Sequence, residues 1–474
     1  MQAHSETGRR LDLLDLTLVG IFLIGLYLGV ALPITPKMPI TCIPSGVAGL
    51  ILLWRRREEI EPLHLAGLCA VLAVYLLSIL AASDWTFLSK RFTGLLQLSY
   101  SLVISYALFL TLVRGEREQI ASLLFWFCVV ILVGCLFETY GNLRPVSDKV
   151  RNLMFDRSIV YDADLRDELL YGRIRPKLFT SEPSAVTFAF THYASTWLVI
   201  STWRWKAAAY VGLLAGALLI LPGPTLILML LLLVPYLIFV AGCGSRARVG
   251  RLLVAIALSV VLLVAAIVVG KLLFAERLNE LAAGRDPSFF YRFTGPMLVA
   301  LDTARYCPWA GSGLTGEPFI ADRVLNVYMN SSSFQSAWQI AKTSDVLTNY
   351  FWLHWIYLGV IWGALTVVAL SLWLRLLGAL SLPFCWTVWT ILGQASGAYV
   401  GPKTWAVLLI AAAASVLAAR RGPKRDELAS GPPLDPLHAR VLWCRSQGWA
   451  AGSFVGGRLV SGARDPRLLP TEPA

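Results

Sequence analysis

The stretch GRIRPKLFTSEPSAVTFAF, residues 172–190, sets three cations and a Glu-Pro pair at the mouth of an apolar run. The cations are Arg173, Arg175 and Lys177, and the pair is Glu182 and Pro183. Arginine presents a planar fork of donors suited to phosphate oxygens, and its charge does not titrate away. Placed at headgroup level, such a cluster can hold a phosphate or a diphosphate. It also suits interfacial cations that rest against lipid phosphates. Pro183 fits the first turn of a helix, and an acid at the start of that helix suits its dipole. A second polar cluster lies far along the chain. Arg292 stands in SFFYRFTGPMLVAL and is followed by CPWAGSGLTG, residues 307–316. The glycines of that string let backbone amides approach a ligand closely, although an ordinary turn has the same composition. Next, SDVLTNYFWLHWIYLGVIWG places Asn349 at the outer end of an apolar run, with Tyr350 beside it. Gly359 and Gly363, four apart, permit close helix packing.

The elements that carry these residues are membrane helices. Of 474 residues, 57% are hydrophobic and 15% charged, and the mean hydropathy is +0.65. A soluble chain of this length needs far more polar surface. Apolar runs long enough to span a bilayer core recur from end to end. The fold class expected is all-α, a polytopic transmembrane bundle of about twelve spans. They fall near 13–32, 38–54, 63–82, 92–113, 119–139, 183–202, 207–221, 224–241, 252–273, 346–370, 379–398 and 403–419. The net charge of +12 sits largely in clusters between spans. Arg9 and Arg10, WRRREE, RGERE, WRWK, GSRARVGR, Arg375 and RRGPKR share one side if the spans alternate. That side is cytoplasmic, with both termini on it. This pattern argues against nucleic acid as a partner. The PGP string at 222–224 suits a tight turn between two spans.

Two long polar segments, about 140–182 and 274–345, then fall on the outer side, and short helices are expected in them. Residues 1–419 form the transmembrane domain, and 420–474 read as a disordered cytoplasmic tail. The first apolar run lacks a cleavage pattern and reads as a retained helix. The eight cysteines form no CxxC pair and point neither to a disulfide framework nor to zinc. The DAD at 162–164 imitates a metal-binding motif, but a solvated charge cluster is the favoured reading. His64 and His192 are read as structural hydrogen-bonding groups.

In order, side and spacing, RIRPKLFTSEPS, YRF…CPWAGSG and TNYFWLHWIYLGVIWG resemble the bacterial O-antigen ligases and Wzy-type polysaccharide polymerases. The resemblance covers roughly residues 90–400. It implies an integral-membrane enzyme of the inner membrane, acting on its periplasmic face. The implied partners are undecaprenyl-diphosphate-linked glycans as donor and acceptor, membrane lipid, and a chain-length regulator protein. The implied reaction polymerises repeat units into exopolysaccharide, capsule or O-antigen, without a cofactor. Its leaving group is a diphosphate whose charge grows as the anomeric bond breaks. Arg175 and Arg292 are the first candidates to stabilise that charge, with Arg173, Lys177 and Arg305 in support. Asn349 and Tyr350 are further substrate-binding candidates. Glu182 is the candidate base, with Asp345 in reserve. One departure stands out: Thr348 occupies the position where ligases carry a His, and the nearby His354 is six positions later. That favours a polymerase over a ligase. A transporter or flippase of lipid-linked oligosaccharide is the alternative from another class. Such proteins usually show internal repeats, and none is visible in this chain.

Overall fold

In the computed structural model the residues described are 9–35, 38–82, 84–156, 160–241, 248–273, 289–331 and 343–420. The first half contains α1 (Leu13–Leu28), α2 (Ile43–Arg55), α3 (Pro62–Leu80), α4 (Leu88–Arg114) and α5 (Arg117–Tyr140). Two short helices follow, α6 (Arg144–Met154) and α7 (Asp164–Tyr171). Then come α8 (Pro183–Ile200), α9 (Lys206–Ile220), α10 (Ile227–Tyr236) and α11 (Arg248–Leu273). The last part contains α12 (Gly295–Tyr306), α13 (Ala321–Met329), α14 (Tyr350–Leu376), α15 (Leu382–Gly393) and α16 (Pro402–Ala419). Five of these, α3, α4, α5, α14 and α16, are long and apolar enough to cross a membrane. Several shorter apolar helices accompany them, including α1, α2, α9 and α15. Among the described residues the fold is all-α apart from one hairpin, that of a multi-pass membrane protein.

That hairpin corrects two expected span ends. β1 (Ala31–Thr35) pairs antiparallel with β2 (Met38–Thr41), taking the last two residues expected in the first span and the first four expected in the second. α1 stops at Leu28 because Gly29 turns left-handed at φ 70, a conformation glycine tolerates and other residues resist. Prolines at 33 and 39 then deny the chain a helical ladder.

α8 lies at the centre of the bundle and packs against α5, α16, α10 and α1. Nearly all its side chains are buried, including Phe188, Phe190, Tyr193 and Trp197. Polar groups at the helix ends are matched within the protein. Arg117 donates to the carbonyl of Ile200, ending α8, and to those of Ala418 and Arg420 at 3.3 and 3.1 Å, ending α16. A cation at two helix C-termini satisfies carbonyls that have no helical partner. Buried Asp15 is paired with Arg55 at 2.7 Å and with Arg56, as a carboxylate removed from water requires.

The glycine-rich string plays a different part from the one its composition suggested. α14 is broken at Gly359, with φ 64 and ψ −168. Residues 308–312 mend the break: Val360 N donates to Pro308 O at 2.8 Å, and Ser312 N donates to Ile356 O at 2.8 Å. A Cβ on Gly311 would lie 2.3 Å from the Ile356 carbonyl oxygen. One on Gly313 would lie 2.3 Å from Nε of Arg91, whose fully buried guanidinium donates to Ser312 O at 2.8 Å. These glycines admit neighbouring protein, and Gly359 interrupts its helix rather than smoothing a packing face. Both polar segments contain short helices, α6 and α7 in the first and α12 and α13 in the second. Residues 274–288 and 332–342 of the second segment lie outside the described residues, as does the tail from 421 onward.

Candidate active site

The segment between α7 and α8 is held in an irregular course from below. Leu178 and Phe179 both have positive φ, at 32 and 66. Non-glycine residues adopt that region only where surrounding structure imposes it. Buried Glu138, near the end of α5, accepts from the backbone N–H of Lys177 at 3.2 Å and from that of Leu178. Ser147 Oγ accepts from Phe179 N at 3.1 Å, and Tyr27 OH donates to Leu178 O at 2.7 Å. Arg151, buried on α6, donates to Thr180 O at 2.7 Å and to Ser181 O at 3.1 Å. Glu138 and Arg151 were not among the residues singled out from sequence. An acid near the end of an otherwise apolar span was the one available sign of the first.

On this support Arg175 is clamped through its side chain. Its Nε donates to Asp167 Oδ1 at 2.9 Å and its Nη2 to Tyr161 OH at 3.2 Å. Its guanidinium also stacks over the Tyr171 ring, 4.8 Å from the centroid. Asp167 is fully buried and accepts from Tyr161 OH as well, at 2.8 Å. Burial works against the Arg175 charge, but Asp167 and the two phenols outweigh it and hold the guanidinium above its ordinary range.

Arg292 arrives from the other polar segment. It sits in a π-helical turn, Phe290–Thr294, at the head of α12. Phe290 meets Tyr328 of α13 edge-on and Tyr291 stacks on it, at 5.0 and 5.6 Å between centroids. The Arg292 side chain donates to Ser184 Oγ at 3.2 Å and stands 3.6 Å from Glu182. Pro183 occupies the first turn of α8 and Glu182 its cap position, as their order in sequence suggests. Glu182 makes no side-chain cap bond, and its side chain is 43% exposed.

Arg175, Arg292 and Glu182 line one cleft that opens to solvent. Arg166, Arg175 and Arg292 share it with Glu182, while Tyr161 and Tyr171 line it from the α7 side. Gly223 and Thr225, from the turn after α9, also line it. The first turn of α8 opens into the same space through Pro183 and Ser184, and a helix N-terminus adds partial positive charge. Three guanidinium groups beside one carboxylate can bind a multivalent anion while leaving an acceptor of protons next to it.

The other candidates are placed elsewhere. Lys177 is buried, bonded to Asp164 at 2.8 Å, and does not line the cleft. Asp164 also pairs with Arg144, which leaves this acid of the DAD string engaged with two cations. Arg173 donates to Tyr140 OH at 2.7 Å and lines a neighbouring groove. Arg305 is exposed on α12 and does not line the cleft. Asn349 is fully buried at the start of α14. Tyr350 is buried too, donating to Trp389 O at 2.8 Å. Asp345 belongs to the single turn Thr343–Val346, and its side chain lies outside the described residues. His64 bonds Tyr106 OH and Leu376 O, both at 3.1 Å. His192 lies inside the bundle, and its Nε2 is buried without a hydrogen-bond partner. Among the described residues no group of three or more His, Cys, Asp or Glu could hold a metal ion, and no disulfide joins the cysteines there. No protein-family model matches the chain, and no curated protein matches it.

Proposed function

We propose that this protein polymerises undecaprenyl-diphosphate-linked oligosaccharide repeats on the outer face of a bacterial inner membrane. The observation that carries the reading is the meeting of Arg175, Arg292 and Glu182 in one cleft at the head of α8. The first two come from polar segments far apart in the chain. In the reaction, a sugar hydroxyl of the acceptor attacks the anomeric carbon of the donor glycan. The bond from that carbon to the phosphate oxygen breaks, and its electron pair leaves with the lipid diphosphate. Arg175 and Arg292 stabilise the charge that grows there. Glu182 takes the hydroxyl proton. Arg166, a cleft residue not singled out from sequence, adds a third cation to the anion's surroundings.

The topology that goes with this reading has twelve crossings, both termini in the cytoplasm and the cleft outside. Cysteines placed at Val160 and Leu325 should react with an impermeant reagent added from the outer side. Labelling only after permeabilisation would invert the arrangement and remove the mechanism. Thr348 supports polymerase over ligase. Its hydroxyl donates to Tyr291 O at 3.0 Å and so holds main chain, in the position where ligases carry their His.

The direct test is extension of a lipid-linked repeat by the purified protein. The expected product is a ladder of lengths that Glu182→Gln abolishes while the variant still inserts. Transfer of finished glycan to a lipid-anchored core without extension would make the protein a ligase. Movement of intact lipid-linked repeats across a vesicle, again without extension, would make it a transporter.

A further inference from the structure

We infer that Asn349 and Gln394 are positioning residues for Arg292, acting through its main chain. The inference rests on the cleft being an anion site of the kind proposed above. Asn349 uses every polar atom of its amide. Oδ1 caps α14, accepting from the N–H of Phe351 and Trp352 at 3.1 and 3.2 Å. Nδ2 donates to Arg292 O at 2.7 Å and to Gln394 Oε1 at 2.9 Å. Gln394 is oriented in turn, since its Nε2 donates to Thr390 O at 3.2 Å. The chain of bonds runs from α15 through the cap of α14 to the carbonyl of Arg292.

That carbonyl is an unusual place for such an anchor. It belongs to the π-helical turn Phe290–Thr294, where the regular helical ladder is interrupted. The carbonyl before it, Tyr291 O, takes the Thr348 hydroxyl. Two consecutive carbonyls are thus bonded by two consecutive side chains, Thr348 and Asn349. The Arg292 side chain, by contrast, has among the described residues a single hydrogen bond at 3.2 Å and a carboxylate 3.6 Å away. Its aim therefore depends on where its Cα is held. A displacement of about 1 Å at a reacting group can cost on the order of a hundredfold in rate.

A cap and an anchor can be separated by substitution. Serine is nearly as good a helix cap as asparagine, but Asn349→Ser has no second arm to reach Arg292 O. Gln394→Glu keeps an oxygen for Asn349 to donate to, whereas Gln394→Leu removes it. The probe is inorganic pyrophosphate, titrated calorimetrically into the full chain in detergent. Arg292→Ala should weaken binding about 10- to 100-fold, the range for a hydrogen bond to a charged group. Asn349→Ser should weaken it about tenfold, Gln394→Leu less, and Gln394→Glu should stay near the unaltered protein. The decisive result is the double variant. Asn349→Ser combined with Arg292→Ala should bind no worse than Arg292→Ala alone, because the anchor acts only through that arginine. Losses that multiply would overturn the inference, as would unchanged affinity in Asn349→Ser. A spin label on Arg292→Cys, with accessible native cysteines replaced, reads the same coupling without ligand. Asn349→Ser should mobilise the label and Gln394→Glu should not. An unchanged line shape in Asn349→Ser would overturn the positioning role. Failure of the unaltered chain to bind pyrophosphate would count against the diphosphate reading alone.

Discussion

On the α7 side of the cleft Arg175 is gripped by its guanidinium, between buried Asp167, the Tyr161 hydroxyl and the Tyr171 ring. On the α12 side Arg292 is gripped by its backbone, through the amide of Asn349. The two side chains differ in exposure accordingly, at 14% for Arg175 and 27% for Arg292. A cation gripped by a buried acid belongs to the fold as much as to the site. A cation with weak side-chain partners adds little to the fold. The difference teaches that two residues of one type, lining one cleft, should fail in different ways when removed.

The largest effect is expected from Arg175→Ala. It strands the Asp167 carboxylate, and breaking one half of a buried pair costs about 3–5 kcal/mol of stability. Thermal or denaturant midpoints of the purified protein should fall accordingly. Adding Asp167→Asn should recover part of that stability and none of the activity. If Arg175→Ala melts like the unaltered protein, the clamp is not part of the fold.

Arg292→Ala should leave the midpoint almost unmoved, since partly exposed ion pairs contribute about 0–1 kcal/mol. Polymer synthesis should drop about 10²- to 10³-fold, the cost of one lost oxyanion donor. Arg292→Lys should rescue poorly, because an ammonium lacks the fork. Ordinary polymer yield from Arg292→Ala would end the comparison. Gly223→Leu tests the cleft without touching a charge. A Cβ there meets only Thr187 Cγ2 at 3.5 Å and Leu221 O at 3.7 Å, ordinary contacts. The bulkier side chain should obstruct the cleft and weaken pyrophosphate binding about tenfold, roughly 1.4 kcal/mol. Unchanged binding would place the ligand elsewhere.

The smallest effects come from the hydroxyl partners. Tyr161→Phe removes a bond to Asp167 and another to Arg175. It should cost about 0.5–1.5 kcal/mol of stability. Ser184→Ala removes the hydrogen bond that the Arg292 guanidinium donates to its hydroxyl, and should appear in activity before stability. The reverse pattern would exchange the roles assigned to the two sides.

Much of this molecule can be read along the chain. Length, apolar runs and the grouping of cations identify a multi-pass helical membrane protein, because bilayer thickness imposes itself on sequence directly. Pro183 at the head of α8 and the turn at 222–224 follow from local backbone chemistry. The types at Arg175, Arg292 and Glu182 are enough to nominate them, since the chemistry of an anion depends on residue type. Which cations are committed elsewhere is not a local property. Lys177 and Arg175 stand two apart in one string, yet Lys177 is buried against Asp164 while Arg175 reaches the cleft. Asn349 faces inward because Arg292 O and Gln394 are there to receive it. The left-handed turn at Leu178 and Phe179 depends on Glu138 and Ser147, which belong to other helices. Periodicity records which face of a segment avoids water. It carries no information on which distant group will meet a buried charge or an unpaired carbonyl, and in this protein those meetings decide which arginine is held through its guanidinium and which through its backbone.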